Sequence, residues 1–239
     1  MAVPGNPTPE VDVEHFFDSR EEASLAAADS IVEALTRRLD HQPRASLVVT
    51  GGSSPTLCYA ALAKADIPWR RVKTVLSDER WVPPTHDDSN EKMVRETLLT
   101  GHATDAELLS LYDAQVSVSN RSSTLNEMLE DLPIPFACSL LGMGEDGHFA
   151  SLFPDSDSLE IGLQVDNPTF FVPVNTAASP HPRISLTLAA LTRSDVIVLL
   201  FFGKAKHEVY KLAKAASTAF PVSKLLAQNR APVHVYWAP

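Results

Sequence analysis

The sequence predicts one α/β domain, built on a mainly parallel sheet with helices on both faces. Short apolar runs alternate with stretches of helical periodicity, the pattern of crossover units joining parallel strands. The runs are apolar at consecutive positions, so helices must cover both sides of the strands they form. Glycine placement adds a third observation. Of nine glycines, Gly51, Gly52, Gly142, Gly144, Gly147 and Gly203 fall just after predicted strands. Glycine there lets a backbone turn tightly or approach a ligand. Ligands of open α/β sheets bind beyond the carboxyl ends of the strands, which marks these loops as the active face.

Residues 1–10, with Pro4, Pro7 and Pro9, predict a mobile tail ahead of a domain spanning 11–239. Ser19 and Glu22 have the spacing of a capping box, after which Leu25, Ala28, Val32, Leu35 and Leu39 recur at helical intervals. "SLVVT" (Ser46 to Thr50) and "VKTVLS" (Val72 to Ser77) read as central strands, as do "FACSLLG" (Phe136 to Gly142) and "DVIVLLFF" (Asp195 to Phe202). "VHVYW" near the C-terminus is a further strand. Helices are expected from Pro55 to Ala65, Asn90 to Leu99, Ser123 to Asp131 and Lys204 to Ala216.

The chain has 239 residues, 44% of them hydrophobic, enough to bury a full core in one domain. Its 20 basic and 30 acidic residues give a formal charge of -10. Such a field repels polyanions and anionic membrane surfaces, so nucleic acid is not an expected partner. A small phosphorylated ligand remains compatible, because it needs only local cations and oriented N–H groups. No apolar run reaches the roughly 18 residues of a membrane span, and the N-terminus lacks the pattern of a targeting signal. Cys58 in a helix and Cys138 in a strand read as reduced core thiols, which favours the cytoplasm. Nothing in the sequence sets the oligomeric state; a monomer is favoured.

Five stretches carry candidate chemistry. "VVTGGSSPTL" places Gly51, Gly52, Ser53 and Ser54 before Pro55, a residue suited to a helix start. It reads equally as a phosphate site at a helix N-terminus or as a capping turn without ligand. It matches neither the dinucleotide fingerprint nor the P-loop. "VLSDERWVPPTHDDSN" sends Asp78, Glu79 and Arg80 out of a strand end, either as a surface ion cluster or as part of the site. "LLGMGEDGHFASLFP" puts Asp146 and His148 among three glycines. A carboxylate beside an imidazole orients it and stabilises its protonated form, which makes a base usable near neutral pH. Asp146 has the alternative of a backbone turn bond. "SPHPRISLTLAAL" and "FFGKAKHEV" add the cations Arg183 and Lys204, which read as solvated charges unless a phosphate at this face requires them.

Taken in order, "GGSSP", "SDERWVP", "DDSN", "LLGMGEDGHFASLFP", "PRISLTL" and "GKAKH" resemble the 6-phosphogluconolactonase family, within the group that includes glucosamine-6-phosphate deaminases. The resemblance covers most of the chain. It implies a Rossmann-like fold and hydrolysis of 6-phosphoglucono-δ-lactone to 6-phosphogluconate in the oxidative pentose phosphate pathway, with no metal or organic cofactor. By the same resemblance His148 is the general base for the attacking water and Asp146 supports it. Asp78 joins them in the catalytic group and with Arg80 lines the sugar pocket. Arg183 and Lys204 bind the phosphate together with Gly51, Gly52, Ser53 and Ser54; Arg80 is an alternative phosphate ligand. Three departures stand out: Ser53 where many relatives carry arginine, and Phe149 and Ser185 where threonine is common.

Two rival readings differ in what they require. A deaminase usually follows the histidine with a glutamate-bearing "FNEP"-like segment, whereas "ASLFP" offers no carboxylate before Asp155. A non-catalytic sugar-phosphate sensor would bring a DNA-binding module. The stretch before the first central strand is too short for one, and the charge is unfavourable.

Overall fold

The computed structural model describes residues 13–128, 132–215 and 220–239. The expected tail at 1–10 and the expected helix ends at Asp131 and Ala216 lie outside these residues. Strand β1 (Val13–Phe16) leads into α1 (Arg20–His41), which Ser19 caps by accepting from the Glu22 N–H at 3.2 Å. The helix buries Ala23, Ala27, Ala28, Ile31, Ala34, Leu35 and Leu39, while Leu25 is 47% exposed. The buried stripe is therefore rotated from the expected one towards alanines. Their small side chains let the helix lie close to the strands it covers.

Beyond α1 come β2 (Ala45–Val49), α2 (Thr56–Leu62), β3 (Val72–Leu76) and β4 (Asp78–Arg80). Then follow α3 (Asn90–Thr97), β5 (Glu107–Leu109), α4 (Val118–Glu127), β6 (Cys138–Leu141) and α5 (Leu159–Gly162). The chain continues through β7 (Phe171–Val174), β8 (Arg183–Leu186), α6 (Leu188–Leu191) and β9 (Ile197–Phe202). It closes with α7 (Lys204–Lys214), α8 (Pro221–Ala227) and β10 (Val233–Ala238).

Seven strands form a parallel sheet in the order β1-β10-β9-β6-β2-β3-β5. Every residue of β2, β3 and β6 is buried, as is all of β9 except its last, so both faces of the centre are covered. From β2 the chain runs outward to β3 and β5, then returns to β6 on the other side of β2. That reversal makes β2 and β6 the topological switch point, where the loops leaving two adjacent parallel strands diverge and open a crevice.

A second sheet, β4-β8-β7, is antiparallel and was not expected from the sequence. Only Ser77 separates β4 from β3. Ser77 bridges the two sheets, donating its N–H to Val49 O and accepting from the Leu186 N–H. The small sheet thus begins at the carboxyl end of the large one, beside the crevice. Cys58 and Cys138 are buried free thiols; burial pushes Cys58 up to about 12 and raises Cys138 as well. Among the described residues no helix is long and apolar enough to cross a membrane.

Candidate active site

The loop after β2 is fixed at its root by Tyr59, whose hydroxyl accepts from the Thr50 N–H at 2.9 Å and donates to Thr50 O at 2.7 Å. Gly51 then passes against α3. A Cβ on it would lie 2.0 Å from Asn90 Oδ1, so a larger residue would displace that side chain. Asn90 donates to Asp78 O at 2.8 Å, which ties the loop, α3 and β4 into one wall.

Alternation along β4 divides the "DER" triplet. Glu79 is fully buried and accepts from the N–H groups of Arg80, Asn90 and Glu91 and from the Ser89 hydroxyl. Burial pushes its carboxyl up while those four donors pull it down, with burial prevailing. It anchors the start of α3, where a carboxylate meets the positive end of the helix dipole. Asp78 and Arg80 face the other way, into a cavity of about 240 Å³. The reading of the triplet as a surface cluster does not hold: Asp78 is 4% exposed and Glu79 is 0% exposed.

Asp78 accepts from Ser77 Oγ at 2.8 Å and from Ser151 Oγ at 2.6 Å, and its Oδ2 lies 3.5 Å from Arg183 Nη1. Arg183 sits directly across the β4–β8 ladder from Arg80, so two guanidinium groups line the same cavity side by side. Burial lowers the Arg183 pKa and the Arg80 charge adds to this, while Asp78 opposes both. The Nε atoms of both arginines are buried without a hydrogen-bond partner. Two adjacent guanidinium groups lining one cavity have the charge and the donors that an anion would require.

The loop after β6 supplies the histidine. Asp146 Oδ1 accepts from the His148 N–H at 3.1 Å and lies 2.6 Å from His148 Nδ1, so it makes both the turn bond and the imidazole contact. Burial pushes the Asp146 carboxyl up, but the hydrogen bond and charge of His148 outweigh it and hold it below the ordinary value. With Nδ1 engaged, Nε2 is the nitrogen left for a water or substrate in the cavity. Gly144 underlies this pair: a Cβ there would meet His148 Nδ1 at 2.3 Å and Asp146 Oδ1 at 2.5 Å. The Phe153 ring packs 4.1 Å from the imidazole and lies 5.1 Å beneath the Arg183 guanidinium, coupling the two in position. Ala150 holds φ at 49°, a left-handed conformation disfavoured for alanine, at the point where the chain leaves the cavity.

The cavity brings together Gly51, Gly52, Ser53, Ser54, Asp78, Arg80, His148 and Arg183. Asp146 stands behind His148. Lys204 is placed apart from them. It is exposed at the first position of α7 and does not line the cavity, whereas Lys206 does. Two residues of helix rotate a side chain by about 200°, so the two lysines point to opposite sides. Burial lowers the Lys206 pKa, with Glu145 and Asp146 pulling it back up. Sequence reading also gave no role to Asn90 or Ser151, whose place at the site depends on contacts across the fold. A larger concavity of about 870 Å³, lined in part by Arg38, Ile134, Arg193 and Asp195, lies at the amino ends of the strands, away from these groups.

Beside this geometry, residues 18–237 match the family model described as glucosamine-6-phosphate isomerases/6-phosphogluconolactonase. The chain belongs to that family. It is 42% identical over 224 residues to a 6-phosphogluconolactonase of Caulobacter vibrioides, covering 93% of this chain and 95% of the relative. A 6-phosphogluconolactonase of Pseudomonas aeruginosa is 35% identical, with 93% of each chain covered. The crystal structure of a 6-phosphogluconolactonase from Shewanella baltica superposes with a TM-score of 0.89 at 35% identity, covering 95% of this chain and 98% of that one.

Proposed function

We propose that the protein is a 6-phosphogluconolactonase, hydrolysing 6-phosphoglucono-δ-lactone to 6-phosphogluconate. The single observation that carries the mechanism is His148, paired with Asp146 at 2.6 Å and lining a cavity that also holds Arg80, Arg183 and Lys206. The cations receive the phosphate and leave the lactone carbonyl near the imidazole. His148 Nε2 takes a proton from a water as its oxygen bonds to the carbonyl carbon, and Asp146 stabilises the resulting imidazolium. Backbone N–H groups of the glycine loops stabilise the oxyanion. Collapse of the tetrahedral intermediate breaks the ring C–O bond, and His148 returns the proton to the departing ring oxygen. Asp78, already bonded to Ser77 and Ser151, positions Arg183 and Ser151.

Besides Asp78, which is held by Ser77 and Ser151, no further acid lines the cavity among the described residues. Asp155 is tied to the Thr176 hydroxyl at 2.6 Å and the Ala177 N–H at 3.0 Å, and the Thr176 bond is the main reason its pKa is lowered. Glu145 is exposed and does not line the cavity. This favours water attack on a lactone over the proton relay that ring opening and deamination need. The buried free thiols favour a cytoplasmic location, and we take a monomer to be the working form. The test is lactone hydrolysis with freshly generated substrate, corrected for spontaneous opening. Acceleration by the protein supports the reading, and a rate equal to the uncatalysed one removes it.

A further inference from the structure

The segment from Trp81 to Ser89, between β4 and α3, runs beside the segment from Asn175 to Pro182, between β7 and β8, where the Trp81 N–H donates to Pro182 O at 2.8 Å. Further along, the two segments bring His86, Asp88 and His181 together, each offering one ligand atom, with all three atoms within 4.8 Å of one another. We propose that these three side chains bind a divalent transition cation of the zinc type, pinning the two segments together at the rim of the cavity.

The donor set selects the metal. Two imidazoles and one carboxylate suit zinc, whereas magnesium and calcium take oxygen ligands. The carboxylate lies between the rings, with Asp88 Oδ2 at 3.1 Å from His181 Nε2 and 3.8 Å from His86 Nδ1. The Asp88 N–H donates to His86 Nδ1 at 3.1 Å, so that nitrogen carries no proton, and turning the ring out of this bond frees its lone pair for a metal. The rings meet edge to face at 78° with centroids 5.6 Å apart, leaving their nitrogens clear of a stack.

The backbone frame is already set. His86 donates its N–H to Pro83 O, and its own carbonyl accepts from Ser89 N–H, while Ser179 Oγ bonds both the N–H and the carbonyl of His181. Bonds of about 2.1 Å in a tetrahedral site put ligands roughly 3.4 Å apart, so the widest separation must close by about 1.4 Å. Side-chain rotation suffices, because the His86 and Asp88 side chains are 46% and 54% exposed. Three protein ligands leave a fourth position for water. The site also touches the machinery of the cavity, because the Asp88 carbonyl accepts from Arg80 Nη1 at 2.6 Å.

Calorimetric titration of the full chain with zinc chloride at neutral pH is expected to show one site per chain. Because loss of an outer partner alone costs about tenfold to 100-fold in metal affinity, His86→Ala and His181→Ala should each weaken binding by about tenfold or more. An anomalous difference map from a zinc-soaked wild-type crystal should place a peak among the three side chains, a readout independent of variant folding. Equal zinc affinity in wild type and the His86→Ala/His181→Ala double variant would overturn the assignment. So would an anomalous peak only at other residues.

Discussion

Strand β6 buries all four of its residues and delivers its chemistry only after it ends, at Asp146 and His148. Strand β4 has just three residues and carries its chemistry inside the strand, with Asp78 and Arg80 facing the cavity and Glu79 bound beneath α3. The difference separates two ways of holding a functional group. A residue on a loop beyond a buried strand can be changed with little cost to the fold. One woven into a charged strand is tied to stability through its neighbours.

The sharpest way to break this contrast is at the loop. His148→Ala should lower turnover by roughly 100-fold to 10,000-fold, the usual contribution of a positioned base, with the melting temperature and 6-phosphogluconate binding little changed. A variant that unfolds would place His148 on the structural side of the division. Next in size are the cations. Arg183→Ala and Lys206→Ala should each weaken 6-phosphogluconate binding about tenfold or more, since charge-assisted hydrogen bonds are worth roughly 1.5–3 kcal/mol. Lys204→Ala should bind as wild type in the same calorimetric series, because that side chain does not line the cavity.

Glu79→Ala probes the structural face of β4. It orphans donors from Ser89, Asn90 and Glu91, and unsatisfied buried groups cost about 1–3 kcal/mol each. Urea unfolding should therefore show a loss of at least about 2 kcal/mol. The smallest effect belongs to Asp146. Its folded pKa lies below the ordinary value, so its contribution to stability is present above about pH 3.9 and fades as pH falls through the folded value. Asp146→Asn should accordingly lower stability at neutral pH and converge with wild type once the pH has fallen below the folded value.

What the sequence disclosed follows the same division. The runs within β6 and β9 were legible because burial on both faces writes itself as nearly continuous apolar residues. Strands β4 and β8 were not, because they are short, carry charges and pair across about a hundred residues. The loops holding Gly51, Gly52, Asp146 and His148 could be found from glycines that follow strands. Lys206 was passed over for Lys204 because adjacency to Gly203 says nothing about which side of α7 a residue takes. The His86–Asp88–His181 group leaves no local signature, since Asp88 and His181 stand 93 positions apart.

The proposed chemistry uses one supported base, with Asp78 bound to Ser77, Ser151 and Arg183 rather than free as a second acid, and the choice of reaction tests this most directly. Purified protein would be incubated in parallel with 6-phosphogluconolactone and with glucosamine 6-phosphate. Lactone hydrolysis well above the spontaneous rate, with no ammonia released from the amino sugar, is the predicted result. Ammonia release as fast as lactone hydrolysis, or faster, would contradict it and require an acid relay that Asp155, bound to Thr176 and Ala177, does not provide.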